Sequence, residues 1–399
     1  MEEERPPGLR FDNGRPFWRA TKAAVKAGYP VKNVNLSIHA DDPRLLRDRC
    51  IKLQREMLEW ISNGERRPVP FDGTFASLFD LYEKDPKSSF HKNLKHSSRK
   101  PYSVYLRMMR QEVGRCRIDR TNGLDVETWF DAWAAAGEDG IRHVAKARMA
   151  IAVLKAAFKY GVLSRLPGCV EFKAILTASR FEGLPPRDAV ITAKQVVAAR
   201  AAAHEAGHPR AAFCYALQFE TTARQWDLAG QWLPLSEPQP SAVISRGQKW
   251  IGAHWSNIDD NLILRYTPSK TDRTTGQKVV ADLRLCPMVM EELERIPPKA
   301  RNGPLIVNQK TGFPYTATVF IDLWHAVAEK SGIPQDVWNR DLRASGATEA
   351  KEAAARTDDL QKLMGHRPGS KTTAKVYDRA ALEAHRRVAQ ARTVHREKK

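Results

Sequence analysis

Two polar, proline-bearing breaks constrain this chain more than any other feature. They are Asn63-Gly64-Glu65-Arg66-Arg67-Pro68-Val69-Pro70 and Glu182-Gly183-Leu184-Pro185-Pro186-Arg187. Proline has no amide hydrogen to donate and bars the helical region to the residue before it, so no helix or central strand runs through either break. The chain therefore divides into three segments, which suits a length of 399 residues and two or three separately cored domains. A hydrophobic fraction of 42% supplies those cores and excludes a disordered chain.

The first segment carries short aromatic or β-branched pieces, Leu9-Arg10-Phe11, Pro16 to Arg19 and Val31 to Leu36, punctuated by Gly and Asn. That pattern predicts a small antiparallel sheet. A helix is expected from Asp42, with Leu45, Cys50, Leu53, Met57 and Ile61 on one face.

The second segment, 71–180, reads as mostly helical. Ser97 or Ser98 is expected to cap a helix in which Tyr102, Tyr105, Met109 and Val113 share a face. A later helix places Val144, Ala147, Ile151, Leu154 and Phe158 on one stripe, with Arg148, Lys155 and Lys159 along its flank. Such a flank suits a phosphate backbone or is simply solvated.

The third segment mixes helices with a hairpin. A helix opens near Thr192, and Leu262 to Thr267 and Val279 to Leu285 read as strands around the turn Lys270 to Gly276. Helices are expected at about Thr316 to Lys330, Leu342 to Ala355 and after Asp378. Trp232 to Trp255 forms a Pro/Ser/Trp-rich insert of undisclosed role.

Charge narrows the partners. Lys and Arg number 65 against 46 Asp and Glu, a formal charge of +19. The excess is spread over all segments, as 4 in 1–70, 7 in 71–180 and 8 in 181–399. A polyanion held along the whole chain is the expectation, nucleic acid first. Five scattered cysteines with no CxxC pair fit a reducing compartment better than a disulfide framework or zinc knuckle. The acidic N-terminus shows no secretory signal, and no apolar run suffices to cross a bilayer. A cytoplasmic location is expected.

Two motifs are weaker than they look. His204-Glu205-Ala206-Gly207-His208 spells HExxH, but Gly207 falls inside it and Pro209 follows, so it reads as a helix end rather than two zinc ligands on one helix. Gly365 to Thr372 nearly spells a P-loop, but Ser370 replaces the second glycine and the preceding residues look helical.

Five other blocks stand in order along the third segment: TTARQWD around Arg224, SKT around Lys270, DLRASGAT around Arg343, LMGH ending at His366, and TTAKVY ending at Tyr377. Over nearly all of 187–399 the chain thereby resembles the tyrosine recombinase (phage integrase) family. The resemblance implies an α+β multidomain protein: a small N-terminal sheet-plus-helix module at 1–66 for arm-type DNA sites, a helical core-binding domain at 71–180, and a mainly helical catalytic domain with a small antiparallel sheet at 187–399.

It also implies a reaction. Tyr377 would attack a phosphodiester and form a 3′-phosphotyrosine, its phenol being both nucleophile and later leaving group. Arg224 and Arg343 would clamp the charged transition state through forked donors. Lys270 would protonate the departing 5′-oxygen and His366 would assist. No metal, ATP or other cofactor is called for. Arg340 stands where the family commonly has histidine, adding charge but no base.

Lys87, Lys92, Lys95, Arg99, Lys100 and Arg107, interleaved with Phe90, Tyr102 and Tyr105, join Arg148, Lys155 and Lys159 as expected phosphate contacts. In the first module Arg15, Arg19 and Trp18 are candidates for a DNA-facing sheet, with an aromatic mini-core the other reading of Trp18. The family implies duplex DNA as partner, a homotetramer on synapsed sites from a protein monomeric when free, and DNA-bending or directionality accessory proteins. It implies integration of a phage or other mobile element, with a type IB topoisomerase or a catalytically silent DNA-binding relative as rivals.

Overall fold

The computed structural model describes residues 6–27, 29, 31–62, 71–138, 140–185, 187–272, 276–367, 369 and 392. The chain forms two compact units, Met1–Gly183 and Leu184–Lys399.

The first unit opens with the antiparallel sheet β1 (Leu9–Asp12), β2 (Arg15–Arg19) and β3 (Asn33–Asn35), in the order β1-β2-β3. Helices α1 (Lys22–Ala27) and α2 (Pro43–Ser62) complete the module. Asp42 starts α2 by accepting from the amides of Arg44 and Leu45. Trp18 is fully buried, packed with Leu9, Tyr29, Cys50, Leu53 and Met57. It is therefore a core residue and not part of a DNA-facing surface, whereas Arg15 and Arg19 alternate outward on the other face of β2. The α2 core stripe also differs from expectation: Leu46 is buried beside Cys50, Leu53 and Met57, while Leu45 and Ile61 are exposed. The stripe keeps its middle and differs at its ends, because Leu46 rather than Leu45 joins the core shared with Leu9 and Trp18 of the sheet.

The same unit continues as a helical bundle: α3 (Phe75–Lys84), α4 (Ser89–Lys92), α5 (His96–Glu112), α6 (Gly123–Ala134), α7 (Val144–Leu163) and α8 (Cys169–Ala178). Its centre is aromatic. Phe75 meets Phe172 at 5.1 Å, Trp129 at 5.3 Å and Phe158 at 5.5 Å, all edge to face. All five expected stripe residues of α7 are buried. The α5 cap differs: Lys95 is the N-cap, its side chain making no capping bond, and Ser97 and Ser98 lie in the first turn.

The second unit is built around α10 (Pro209–Glu220), buried from Arg210 to Phe219. Helix α9 (Ala193–Glu205), closed at its start by the Thr192/Gln195 capping box, packs on it. The short α11 (Gln225–Leu228) follows. The tryptophan-rich insert folds as β4 (Gln231–Pro234), β5 (Ile244–Ser245) and β6 (Gln248–Ile251), ordered β4-β6-β5. Trp250 plugs that sheet, fully buried, its indole donating to Ala229 O at 3.1 Å. Strands β7 (Ile263–Tyr266) and β8 (Val279–Asp282) make the expected hairpin, except that Leu283–Leu285 turns into a 3-10 helix. Helices α12 (Pro287–Glu294), α13 (Ala317–Lys330), α14 (Asp341–Glu352) and α15 (Thr357–Leu363) complete the described unit. The helix expected after Asp378 lies outside the described residues. Small antiparallel sheets within a largely helical, multidomain chain are the fold class expected from sequence.

Candidate active site

Helix α14 carries Arg343, and three contacts fix it. Gly346 lets it lie on α10 so closely that a β-carbon there would sit 1.9 Å from Phe219 O. Asp341, at its first turn, takes a two-pronged ion pair from Arg187, with Nη2 to Oδ2 at 2.7 Å. Gln218 on α10 donates to Asn339 at 2.8 Å in the buried loop before it.

Arg343 is itself buried. Its Nη1 donates to Thr222 O, and its Nη2 donates to Met364 O at 2.9 Å and stands 3.2 Å from His366 Nε2. A guanidinium only donates, so His366 accepts through Nε2 and is the neutral ring. Burial, reinforced by the charges of Arg343, Arg224 and Lys270, pushes the His366 imidazole down to about 4.

Arg224 caps the short helix α11 at the far side of Thr222. Its Nη1 faces Asp227 Oδ2 at 3.7 Å. Asp227, three residues on and buried, also accepts from the amide and hydroxyl of Ser269 at 2.9 and 2.5 Å. One carboxylate thus ties the first arginine to the residue preceding Lys270. Lys270 itself is exposed on the hairpin turn.

The LMGH turn closes the arrangement. Gly365 has φ +62°, and a β-carbon there would lie 2.8 Å from Pro268 and 3.0 Å from Val279. Only glycine suits both the conformation and the approach. The turn therefore rests on the lysine-bearing hairpin while presenting His366 to Arg343.

Four of the six catalytic candidates, Arg224, Lys270, Arg343 and His366, are brought together. Arg340 is not among these contacts: it is exposed, with its guanidinium 5.0 Å over the half-exposed Trp338 ring. Tyr377 lies outside the described residues.

The cluster concentrates buried polar atoms that lack a hydrogen-bond partner among the described residues: Thr222 Oγ1, Arg224 Nη1, Asp227 Oδ2 and Tyr266 Oη. Burial is the chief reason the Tyr266 phenol is pushed up, so it stays neutral as a donor. Asp227, Ser269 and Tyr266 were not assigned from sequence. The spacing of Asp227 from Arg224 on a short helix was the one available signal; Tyr266 looks like any strand aromatic.

The DNA-binding candidates separate by exposure. Lys87, Lys92, Lys100, Arg107, Arg148, Lys155 and Lys159 are exposed, and Lys95 and Arg99 half-buried. Phe90 is buried and Tyr102 and Tyr105 are half-buried against the bundle core, so these rings build the domain rather than interleave with its charges. Arg148 donates to Glu182 O at 2.8 Å, and Lys155 lies 5.6 Å over Phe181.

The HExxH histidines diverge. His204 meets the buried Glu292 at 2.8 Å while His208 meets Tyr315 Oη at 2.9 Å, across the helix break at Gly207. No group of three metal-ligating side chains occurs among the described residues. No described helix is long and apolar enough to cross a membrane.

No family model matches the sequence, and no curated protein matches it. Solved structures do match. A lambda integrase dimer bound to a COC′ core site aligns with TM-score 0.57 and 17% identity over 95% of this chain and 97% of that one. A lambda integrase tetramer bound to a Holliday junction gives 0.55 and 17%, over 92% and 97%. The Tn1549 transposon integrase, in complex with transposon right end DNA, gives 0.55 and 15%, over 79% and 99%. The chain has the tyrosine recombinase fold. At such identity the likeness shows the fold alone.

Proposed function

We propose that this protein is a site-specific DNA recombinase, an integrase of a phage or other mobile element, that cuts and rejoins duplex DNA through a 3′-phosphotyrosine. The supporting observation is the convergence of Arg224, Arg343, Lys270 and His366 on one positively charged cluster, with Arg343 and His366 buried, Arg224 half-buried and Lys270 exposed, tied together by Asp227 and the Gly365 turn.

In this reading the two guanidiniums hold the non-bridging oxygens of the scissile phosphate. Their donors are fixed before the substrate arrives, so they favour the more highly charged phosphorane over the ground state. Tyr377 gives its phenolic proton to water and attacks phosphorus, the bond to the 5′-oxygen breaks, and Lys270 supplies that oxygen's proton from the hairpin turn. Rejoining reverses each step: a 5′-hydroxyl attacks and returns its proton to the lysine, and the phenolate leaves and takes up a proton from water. Neutral His366 accepts from Arg343 and so orients it. Arg340, stacked on Trp338, adds charge at the entrance of helix α14.

The domain assignments belong to the same proposal. Residues 71–180 hold the core site through exposed lysines and arginines, 1–66 contact distal arm sites through the Arg15 and Arg19 face, and 187–399 cleave. Four protomers synapse two sites in the cytoplasm, with DNA-bending or directionality proteins as accessories. Neither metal nor nucleotide takes part.

The test uses nicked suicide duplexes tiled across the DNA that flanks the coding sequence, incubated with the full-length protein in EDTA. A covalent protein–DNA adduct is expected, and Tyr377→Phe should abolish it. An adduct that persists in that variant sinks the nucleophile assignment, and a requirement for magnesium sinks the metal-free chemistry.

A further inference from the structure

Thr222 carries two costs, one in its backbone and one in its side chain. Its φ of +50° lies in the left-handed region, where the β-carbon of an L-residue crowds its own carbonyl and a branched side chain is rarely found. Glycine would adopt the same backbone without strain. Its hydroxyl is the second cost. The residue is 1% exposed, and Oγ1 has no hydrogen-bond partner among the described residues, a state that buried polar groups ordinarily avoid. Valine would fill the same space without that penalty.

The neighbouring threonine shows the contrast. Thr221 is as buried, has φ −97°, and its hydroxyl donates to Leu217 O at 2.6 Å. Thr222 is strained and unpaired, and it occupies the joint between the two arginines. Its carbonyl accepts from Arg343 Nη1, and Arg224, two residues on, has a buried Nη1 that also lacks a hydrogen-bond partner. Backbone strain and orphaned donors that coincide at one point of a site mark groups whose partner arrives with the ligand.

We infer that the Thr222 hydroxyl is a further phosphate-contacting group, donating to a non-bridging oxygen of the phosphodiester gathered by Arg224 and Arg343. The inference rests on the recombinase reading and extends it to a residue outside the five sequence blocks' charged members. A neutral hydroxyl adds no long-range attraction, so it acts little on DNA affinity. It acts on the cleavage step, where the oxygen it meets gains negative charge.

The experiment measures covalent adduct formation by full-length variants on the nicked suicide duplex that the wild type cleaves. Thr222→Val keeps the shape and the strain and removes only the donor; its cleavage rate should fall about 10- to 100-fold with noncovalent affinity changed less than about threefold. Thr222→Ser should recover most of the lost rate. Thr222→Gly should melt at a higher temperature than Thr222→Val, because the strain is relieved, and yet cleave as slowly.

A methylphosphonate at the scissile position removes one non-bridging oxygen at a time. In one diastereomer the gap between wild type and Thr222→Val should close, a result no purely structural role produces. A Thr222→Val protein that cleaves at the wild-type rate overturns the inference and leaves the recombinase reading standing. So does a Thr222→Ser protein as slow as Thr222→Val, or a rate gap that persists in both diastereomers. A wild type that forms no adduct with any duplex overturns both.

Discussion

The flank of α7 and the cluster around Arg343 use the same two residue types in opposite ways. Arg148, Lys155 and Lys159 are exposed on a helix whose other face is core. Arg343 is buried, with two carbonyls and an imidazole nitrogen accepting from it. The exposed cations stay in contact with water, even where Arg148 donates to Glu182 O and Lys155 lies over Phe181, so each contributes a modest, salt-screened attraction. The buried one has been desolvated and oriented in advance, and the fold has already borne that cost. Number matters on the first surface; placement matters in the second.

The largest effect should follow from breaking placement. Arg343→Ala removes the donors to Thr222 O and Met364 O and leaves buried carbonyls unpaired, so the protein loses stability as well as chemistry. Adduct formation should fall by about 10³-fold or more, the scale of losing a preorganised donor at a developing charge. Arg343→Lys tests geometry with the charge kept: an ammonium cannot reach three acceptors in one plane, so most of the loss should remain. A lysine variant with near wild-type cleavage would reduce the buried cluster to a second patch of charge.

How far each region was legible in the sequence follows the same division. Helix periodicity located α7 and its basic flank, because burial of one stripe depends only on local spacing. The blocks around Arg224, Lys270, Arg343 and His366 were legible as motifs. What joins them was not. The Asp227–Ser269 bond spans 42 residues and the Arg343–Thr222 bond spans 121, and no periodicity encodes such pairings. The two readings of Trp18, DNA-facing sheet and aromatic mini-core, stay open in the sequence for a similar reason: alternation says that it faces one side of β2, but only the packing of α2 says which side is core. The Leu45/Leu46 exchange on α2 is the helical form of that ambiguity. The tryptophan-rich insert discloses no role in the sequence, because the burial of Trp250 depends on the pairing of β4 with β6.

Breaking number should cost less. Replacing Arg148, Lys155 and Lys159 together by alanine should weaken duplex binding by about 10- to 100-fold at moderate salt and lower the slope of log K against log salt by about 2 to 3. Each single replacement should shift binding by a fraction of that. The cleavage rate of bound duplex should change little, which separates holding from cutting. An unchanged salt slope would remove this flank from the DNA interface and leave it as solvated surface that anchors Phe181 and Glu182.

The smallest effect concerns proton binding at the buried site. His366 is held neutral by burial and by the charges of Arg343, Arg224 and Lys270, its imidazole pushed down to about 4, whereas an unfolded histidine titrates near 6.5. Between those values the unfolded chain takes up the proton and the folded chain does not, so the neutral ring's contribution is complete above about 6.5 and is lost as pH falls toward 4. Glu220, whose carboxyl is pushed up by burial at the start of α12, acts with the opposite sign, because acid favours its protonated folded form. The His366 contribution is therefore isolated by difference. The gap in melting temperature between wild type and His366→Gln should narrow by about 2–5 °C on going from pH 7 to pH 4.5. Bound duplex should reverse the trend, since a phosphate beside the ring favours its charged form. A gap independent of pH, with and without DNA, would show that His366 senses neither guanidinium nor phosphate, and the contrast between a buried, oriented site and an exposed, additive one would lose its histidine.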